Sequence, residues 1–186
     1  MRKLIVVLVA LVAAVSAMGA TGWFQDYVLV SLNGATDAFY WIGDDPSFGT
    51  VFNGTSLGSI VQGQALELGA DMRYSSDTSD RDGGAYYWTR DGGTAAEVIW
   101  TQTFLGGQNY QGNSPSTANI ASGASVGTHT VAVWAKSWGT GQGDSWLSNG
   151  GANYTATFGV TAIPEPTTLV LVGLGVAGLL AYRRRR

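Results

Sequence analysis

From residue 65 to 74 apolar and polar positions alternate with a period of two. Leu66, Leu68, Ala70, Met72 and Tyr74 fall on one side, and Glu67, Gly69, Asp71 and Arg73 on the other. Successive side chains of a strand point to opposite faces, so this run predicts a half-buried strand. Residues 154–160 repeat the pattern, with Tyr154, Ala156, Phe158 and Val160 opposed to Thr155 and Thr157. Shorter apolar runs at 27–32, 50–52, 57–61, 85–89, 98–105 and 129–136 predict further strands. Between them stand glycine-bearing turns such as Asp82-Gly83-Gly84, Asp91-Gly92-Gly93 and Gly106-Gly107. Stripes of helical period are missing from this region. The fold class expected is all-β, an antiparallel β-sandwich for which a jelly roll is one candidate form. Residues 108–127 are polar and without period, and they predict a long loop.

The two ends break this pattern. Arg2 and Lys3 precede the apolar run 4–15 and then Ser16, Ala17, Gly19 and Ala20, the layout of a secretory signal peptide over residues 1–20. Cleavage is expected after Ala17, with Gly19 and Ala20 as alternatives. At the other end Pro164, Glu165 and Pro166 force an extended segment, because two prolines so close cannot start a helix together. The uncharged stretch opened by Leu169 and closed by Tyr182 follows, and at ~1.5 Å per residue it reaches roughly 21 Å as a helix. That is short of a bilayer core of about 30 Å, so it predicts a modest transmembrane anchor. Arg183, Arg184, Arg185 and Arg186 then act as a membrane stop that holds the terminus on the cytoplasmic side. Gly173, Gly175 and Gly178 have the spacing of a dinucleotide fingerprint, but the chain ends too soon after them for the second strand and acidic residue which that motif needs.

Removing both ends changes the charge balance. The body, residues 21–162, keeps twelve acids against Arg73, Arg81, Arg90 and Lys136, a net charge of −8. Such a surface repels polyanions, which excludes nucleic acid as a partner. There is no cysteine, hence no disulfide, thiolate metal site or cysteine nucleophile.

The candidate chemistry is sparse. His129, the single histidine, shares a strand face with Val131 and Val133, which reads as a partly buried or edge residue rather than a triad member. Glu67 and Glu97 are the glutamates of the body and read as solvated strand-face residues. Asp77, Asp80 and Asp82 before Gly83 have the oxygen-rich spacing of half a calcium loop, although Thr89 stands where a bidentate glutamate is needed. Asp44-Asp45-Pro46 is a weaker version. Phe39-Tyr40-Trp41 and Tyr86-Tyr87-Trp88 must each place a ring outside a one-sided core, so Trp41 and Trp88 are candidate sugar-stacking residues. Asn53-Gly54-Thr55 and Asn153-Tyr154-Thr155 fit the N-glycosylation pattern.

The Pro-Glu-Pro break, short apolar helix and arginine cluster of residues 163–186 together resemble the sorting tail of the PEP-CTERM family of exported Gram-negative bacterial proteins. The resemblance implies recognition by exosortase, which cuts near the Pro-Glu-Pro, in bacteria that make exopolysaccharide and biofilm matrix. It implies nothing about the body, which varies widely within that family. The function expected is therefore a sorted surface or matrix protein, non-enzymatic, with a structural or adhesive role. A carbohydrate-binding module is the first alternative, and a polysaccharide-active enzyme using Glu67, Glu97 or an aspartate pair is the second.

Overall fold

A computed structural model describes residues 22–42, 49–76, 81–140 and 142–164. In chain order its strands are β1 (Gly22–Trp23), β2 (Tyr27–Leu32), β3 (Ala38–Trp41), β4 (Ser56–Val61), β5 (Leu66–Ser75), β6 (Gly83–Arg90), β7 (Ala96–Ile99), β8 (Thr101–Gly106), β9 (Asn109–Asn119), β10 (Gly127–Gly139), β11 (Gln142–Leu147) and β12 (Tyr154–Thr161). A 3-10 turn, Asn149–Gly151, lies between the last two. One six-stranded sheet, sheet A, runs β3-β2-β5-β9-β8 with β1 also on β5. The other, sheet B, runs β4-β12-β10-β6-β7 with β11 also on β10. The strand pairs are antiparallel except β4 with β12, which run parallel. This departs from the wholly antiparallel expectation. Its cause is the crossing segment before β4, which buries Phe52 completely and hydrogen-bonds through Gly54 and Thr55 to Thr155 and Thr157 of β12. That contact fixes the direction in which β4 is laid down.

Apolar positions of both sheets share one core. Leu68, Ala70, Met72 and Tyr74 of β5 are fully buried, as are Tyr86 of β6 and Val131, Val133 and Ala135 of β10. The Tyr86 hydroxyl donates to the Leu68 carbonyl at 2.9 Å, so a buried phenol of sheet B is satisfied by the backbone of sheet A. Trp23 Nε1 donates to Ser145 Oγ at 3.0 Å, a second link from sheet A to sheet B.

Further sequence expectations are corrected. The run 98–105 is two strands, because the chain leaves sheet B at Trp100 and enters sheet A. Trp100 is 5 % exposed, and its indole fills the space over Gly84 of β6 and Gly112 of β9. A methyl group on Gly84 would lie 2.0 Å from that ring, and one on Gly112 2.4 Å from it. Residues 109–119, expected as loop, form β9 inside sheet A between β5 and β8. Their inward positions include Gly112 and Ser114, so the strand carries little apolar signal of its own, and the missing bulk comes from Trp100. Finally, Gly83 and Gly84 are not a turn. They begin β6, where Trp138 lies over Gly83 and Trp100 over Gly84. Asp91 and Gly92 do form the tight turn expected after β6, both with positive φ.

Candidate functional site

The C-terminal exit is simple. β12 ends at Thr161, whose hydroxyl donates to the Ile60 carbonyl and whose carbonyl accepts from the Gln62 N–H at 2.8 Å. Residues 161–164 are exposed, with Ile163 at 62 %. Pro164 thus leaves the body three residues beyond the last ladder position, open to solvent. Glu165, Pro166, the segment 169–182 and Arg183 to Arg186 lie outside the described residues, as does the signal segment 1–20. Among the described residues no helix is long and apolar enough to cross a membrane.

The two aromatic triplets obey strand parity but expose other rings than expected. Trp41 is 4 % exposed and packs edge-on to Tyr27 at 5.4 Å, while Tyr40 turns toward Phe52. Trp88 is half-buried and packs against the core. Trp41 therefore offers no open face for a sugar, and Trp88 stands on the core-facing side of β6. The outward rings are Phe39, 55 % exposed, and Tyr87.

Tyr87 belongs to a larger surface that inspection of triplets does not reveal. On β10, Val131, Val133 and Ala135 face the core, so Ala132, Trp134, Lys136 and Trp138 face out. The register sets Tyr87 of β6 beside Trp134, Glu97 of β7 beside Tyr87, and Trp146 of β11 beside Lys136. Tyr87 and Trp134 are nearly parallel, at 10° and 5.6 Å between centroids, and Trp146 lies 6.0 Å from Tyr87. Lys136 Nζ sits 5.3 Å from the Trp138 ring centre and 5.1 Å from that of Trp146. The same ammonium donates to Asp144 Oδ2 at 3.3 Å, and the Tyr87 hydroxyl donates to Glu97 Oε1 at 2.6 Å. Burial, followed by that bond to the Glu97 carboxylate, pushes the Tyr87 phenol above its ordinary value, so it remains a donor. The signal for this ridge was present in the sequence as the outward parity of residues 132–138.

The ionisable groups fall into separate structural roles. His129 is 7 % exposed, with Nδ1 2.7 Å from Asp91 Oδ2 and Nε2 2.8 Å from the Ser125 carbonyl. Both partners are acceptors, so the ring makes both bonds only as the doubly protonated imidazolium. The bond to Asp91, and then that to Ser125, hold the His129 pKa above its ordinary 6.5; the same pairing holds Asp91 below 3.8. Ser125 contributes its carbonyl, not a nucleophilic hydroxyl. Arg90 donates to the carbonyls of Ile120 and Ser122, tying the loop between β9 and β10, which also carries Ser125, to β6. Asp26 is 1 % exposed, and burial pushes it up to about 8 despite a bond from the Arg73 N–H.

Glu67 lies on the outer face of sheet A and Glu97 on that of sheet B, so the fold does not bring these two carboxylates together. Asp82 is exposed and accepts from Thr140 Oγ1 at 2.7 Å, while Asp77, Asp80 and Asp44-Asp45-Pro46 lie outside the described residues. Among the described residues no group of three or more His, Asp or Glu side chains is placed to hold a metal ion. The two glycosylation triplets are neighbours, since Asn53 Oδ1 accepts from the N–H of Thr155 at 3.0 Å.

Residues 162–186 match the family model of the PEP-CTERM protein-sorting motif. The match begins at the residue after β12 and takes in Pro164, Glu165, Pro166 and the arginine cluster. No curated protein matches the chain significantly.

Proposed function

We propose, from the premise that this chain carries a PEP-CTERM sorting tail and is an exosortase-processed exported protein, that it serves as a non-catalytic surface or matrix protein with an adhesive or structural role in exopolysaccharide. In this reading the body, residues 21–162, is a β-sandwich displayed outside the cytoplasmic membrane of a Gram-negative cell. Residues 169–182 anchor it transiently, with Arg183 to Arg186 on the cytoplasmic side. Exosortase then severs the chain near Pro164-Glu165-Pro166 and releases it to the surface.

The observation that carries this reading is the placement of the motif. It begins immediately after β12, at exposed residues, where a membrane-bound processing enzyme has access without unfolding the core. The separation of Glu67 from Glu97 on different sheets supports a non-catalytic body. Mass spectrometry of the mature protein from its host tests the proposal, together with cell fractionation. Replacement of Pro164, Glu165 and Pro166 by alanine should leave an uncleaved chain in the membrane fraction. Unchanged processing and surface delivery of that variant would overturn the sorting half. Release of reducing ends from a polysaccharide by the purified chain would overturn the non-catalytic half.

A further inference from the structure

We infer that the outer face of sheet B is a binding ridge for an uncharged polysaccharide, with Trp146, Tyr87 and Trp134 as stacking rings. The polar groups at its margins, Glu97, Lys136 and Asp144, would bond sugar hydroxyls. The inference deepens the adhesive reading by giving it a ligand, and it rests on that reading for its biological sense.

Exposure and order are combined here. Trp146 is 50 % exposed, which is unusual for the largest apolar side chain on a strand that has a core to bury it in. Yet its ring is fixed by Tyr87 at 6.0 Å and by the Lys136 ammonium at 5.1 Å. Lys136 is itself fixed by Asp144, and Tyr87 by Glu97. A ligand landing on this ridge does not have to order floppy side chains, the usual cost of recruiting exposed groups.

The shape suits an extended chain. The ridge crosses β7, β6, β10 and β11, four adjacent strands, and at ~4.8 Å per spacing it runs roughly 14 Å, the scale of an oligosaccharide segment rather than a single sugar. Aromatic faces take the C–H faces of pyranose rings by apolar contact, while carboxylates and an ammonium at the margins suit hydroxyl groups as acceptors and donors.

Charge decides which polysaccharide. The one cation of the ridge, Lys136, is already matched by Asp144, and Glu97 adds an uncompensated negative charge. Around it the body carries −8. An acidic polymer would be repelled at every approach, whereas a neutral one meets no penalty. The competing occupant, a second copy of the chain, would bring the same excess of negative charge against itself.

The test uses the full-length chain in detergent, run by native affinity electrophoresis through gels cast with galactomannan, with a neutral β-glucan, or with alginate as the acidic polymer. At least one neutral gel should retard the chain and alginate should not. Trp146→Ala should weaken the retardation about tenfold or more while leaving the melting temperature and processing unchanged, with partial retention in Trp146→Phe. Trp134→Ala should act likewise, and if it unfolds, the solvent-exposed Trp146→Ala carries the test. The proposal is overturned if neither neutral gel retards the chain, if alginate retards it more strongly, or if Trp146→Ala retards like the wild type. Self-association that Trp146→Ala abolishes, with no glycan effect, would make a second copy the occupant and overturn it equally. Replacing Pro164, Glu165 and Pro166 should abolish delivery yet leave retardation intact, so failure of sorting and failure of glycan binding are read separately.

Discussion

At the residue scale the body keeps two acid-base devices of opposite construction. Asp26 is buried without a cation, so folding favours its neutral form: its contribution is fully present below about pH 4 and is lost as pH rises toward its folded value of about 8. At ~1.4 kcal/mol per pH unit the penalty reaches up to roughly 4 kcal/mol by pH 7. Asp26→Asn keeps an acceptor for the Arg73 N–H and removes the ionisation. Its melting temperature should rise relative to wild type as pH is raised from 4 to 8; a difference independent of pH would contradict the account. The His129–Asp91 pair works differently. The histidine, with its raised folded pKa, contributes fully below about 6.5 and loses its contribution as pH rises through the folded value. The aspartate contributes above 3.8 and loses its contribution as pH falls through its lowered value. His129→Gln should therefore cost most stability between those limits and converge on wild type in alkali, as measured by thermal melts across pH.

At the element scale the decisive contact is Trp100 between two glycines on different sheets. A methyl group at either glycine meets a ring that the crossing chain cannot withdraw, so Gly84→Ala or Gly112→Ala should destabilise by ~3 kcal/mol, the upper range for overpacking. In a Trp100→Leu background the same substitutions should cost much less, and equal costs in both backgrounds would show that the indole is not the obstacle. The same contact explains what could be read from the chain and what could not. β5 and β12 were legible because their own residues alternate between core and solvent, and β2 because it is a short continuous apolar run. β9 was not, because Gly112 leaves a space which a tryptophan from the neighbouring crossing fills. Its bulge, with Ser114 and Pro115 crowded over Gly69 of β5, removes the remaining period. The sorting motif was legible throughout, being a linear signal. The aromatic ridge was legible only in part, since parity gives Trp134, Lys136 and Trp138 a common face while only strand pairing brings Tyr87, Glu97 and Trp146 beside them.

At the scale of the whole molecule, the buried neutral Asp26, the charged His129 and the acidic excess of the body act in one direction. Each gains as pH falls modestly below neutrality, the last because protonating carboxylates relieves self-repulsion. The stability maximum should therefore lie on the acid side, near about pH 5, rather than at neutrality. A melting temperature that peaks above pH 7 would refute this. The position of β12 has a further consequence, a mechanical one. This strand leads straight to the sorting tail, and it lies between β10 on one side and β4 on the other. A tension applied at Pro164 along the strand therefore loads both hydrogen-bond ladders lengthwise and at once, instead of peeling an edge strand bond by bond. We predict a single large rupture when the chain is pulled from residue 164 in a force spectrometer, and a staircase of small ones would count against it. With the ridge on β10 and its neighbours, a load between tether and ligand would pass from one strand to the next within sheet B.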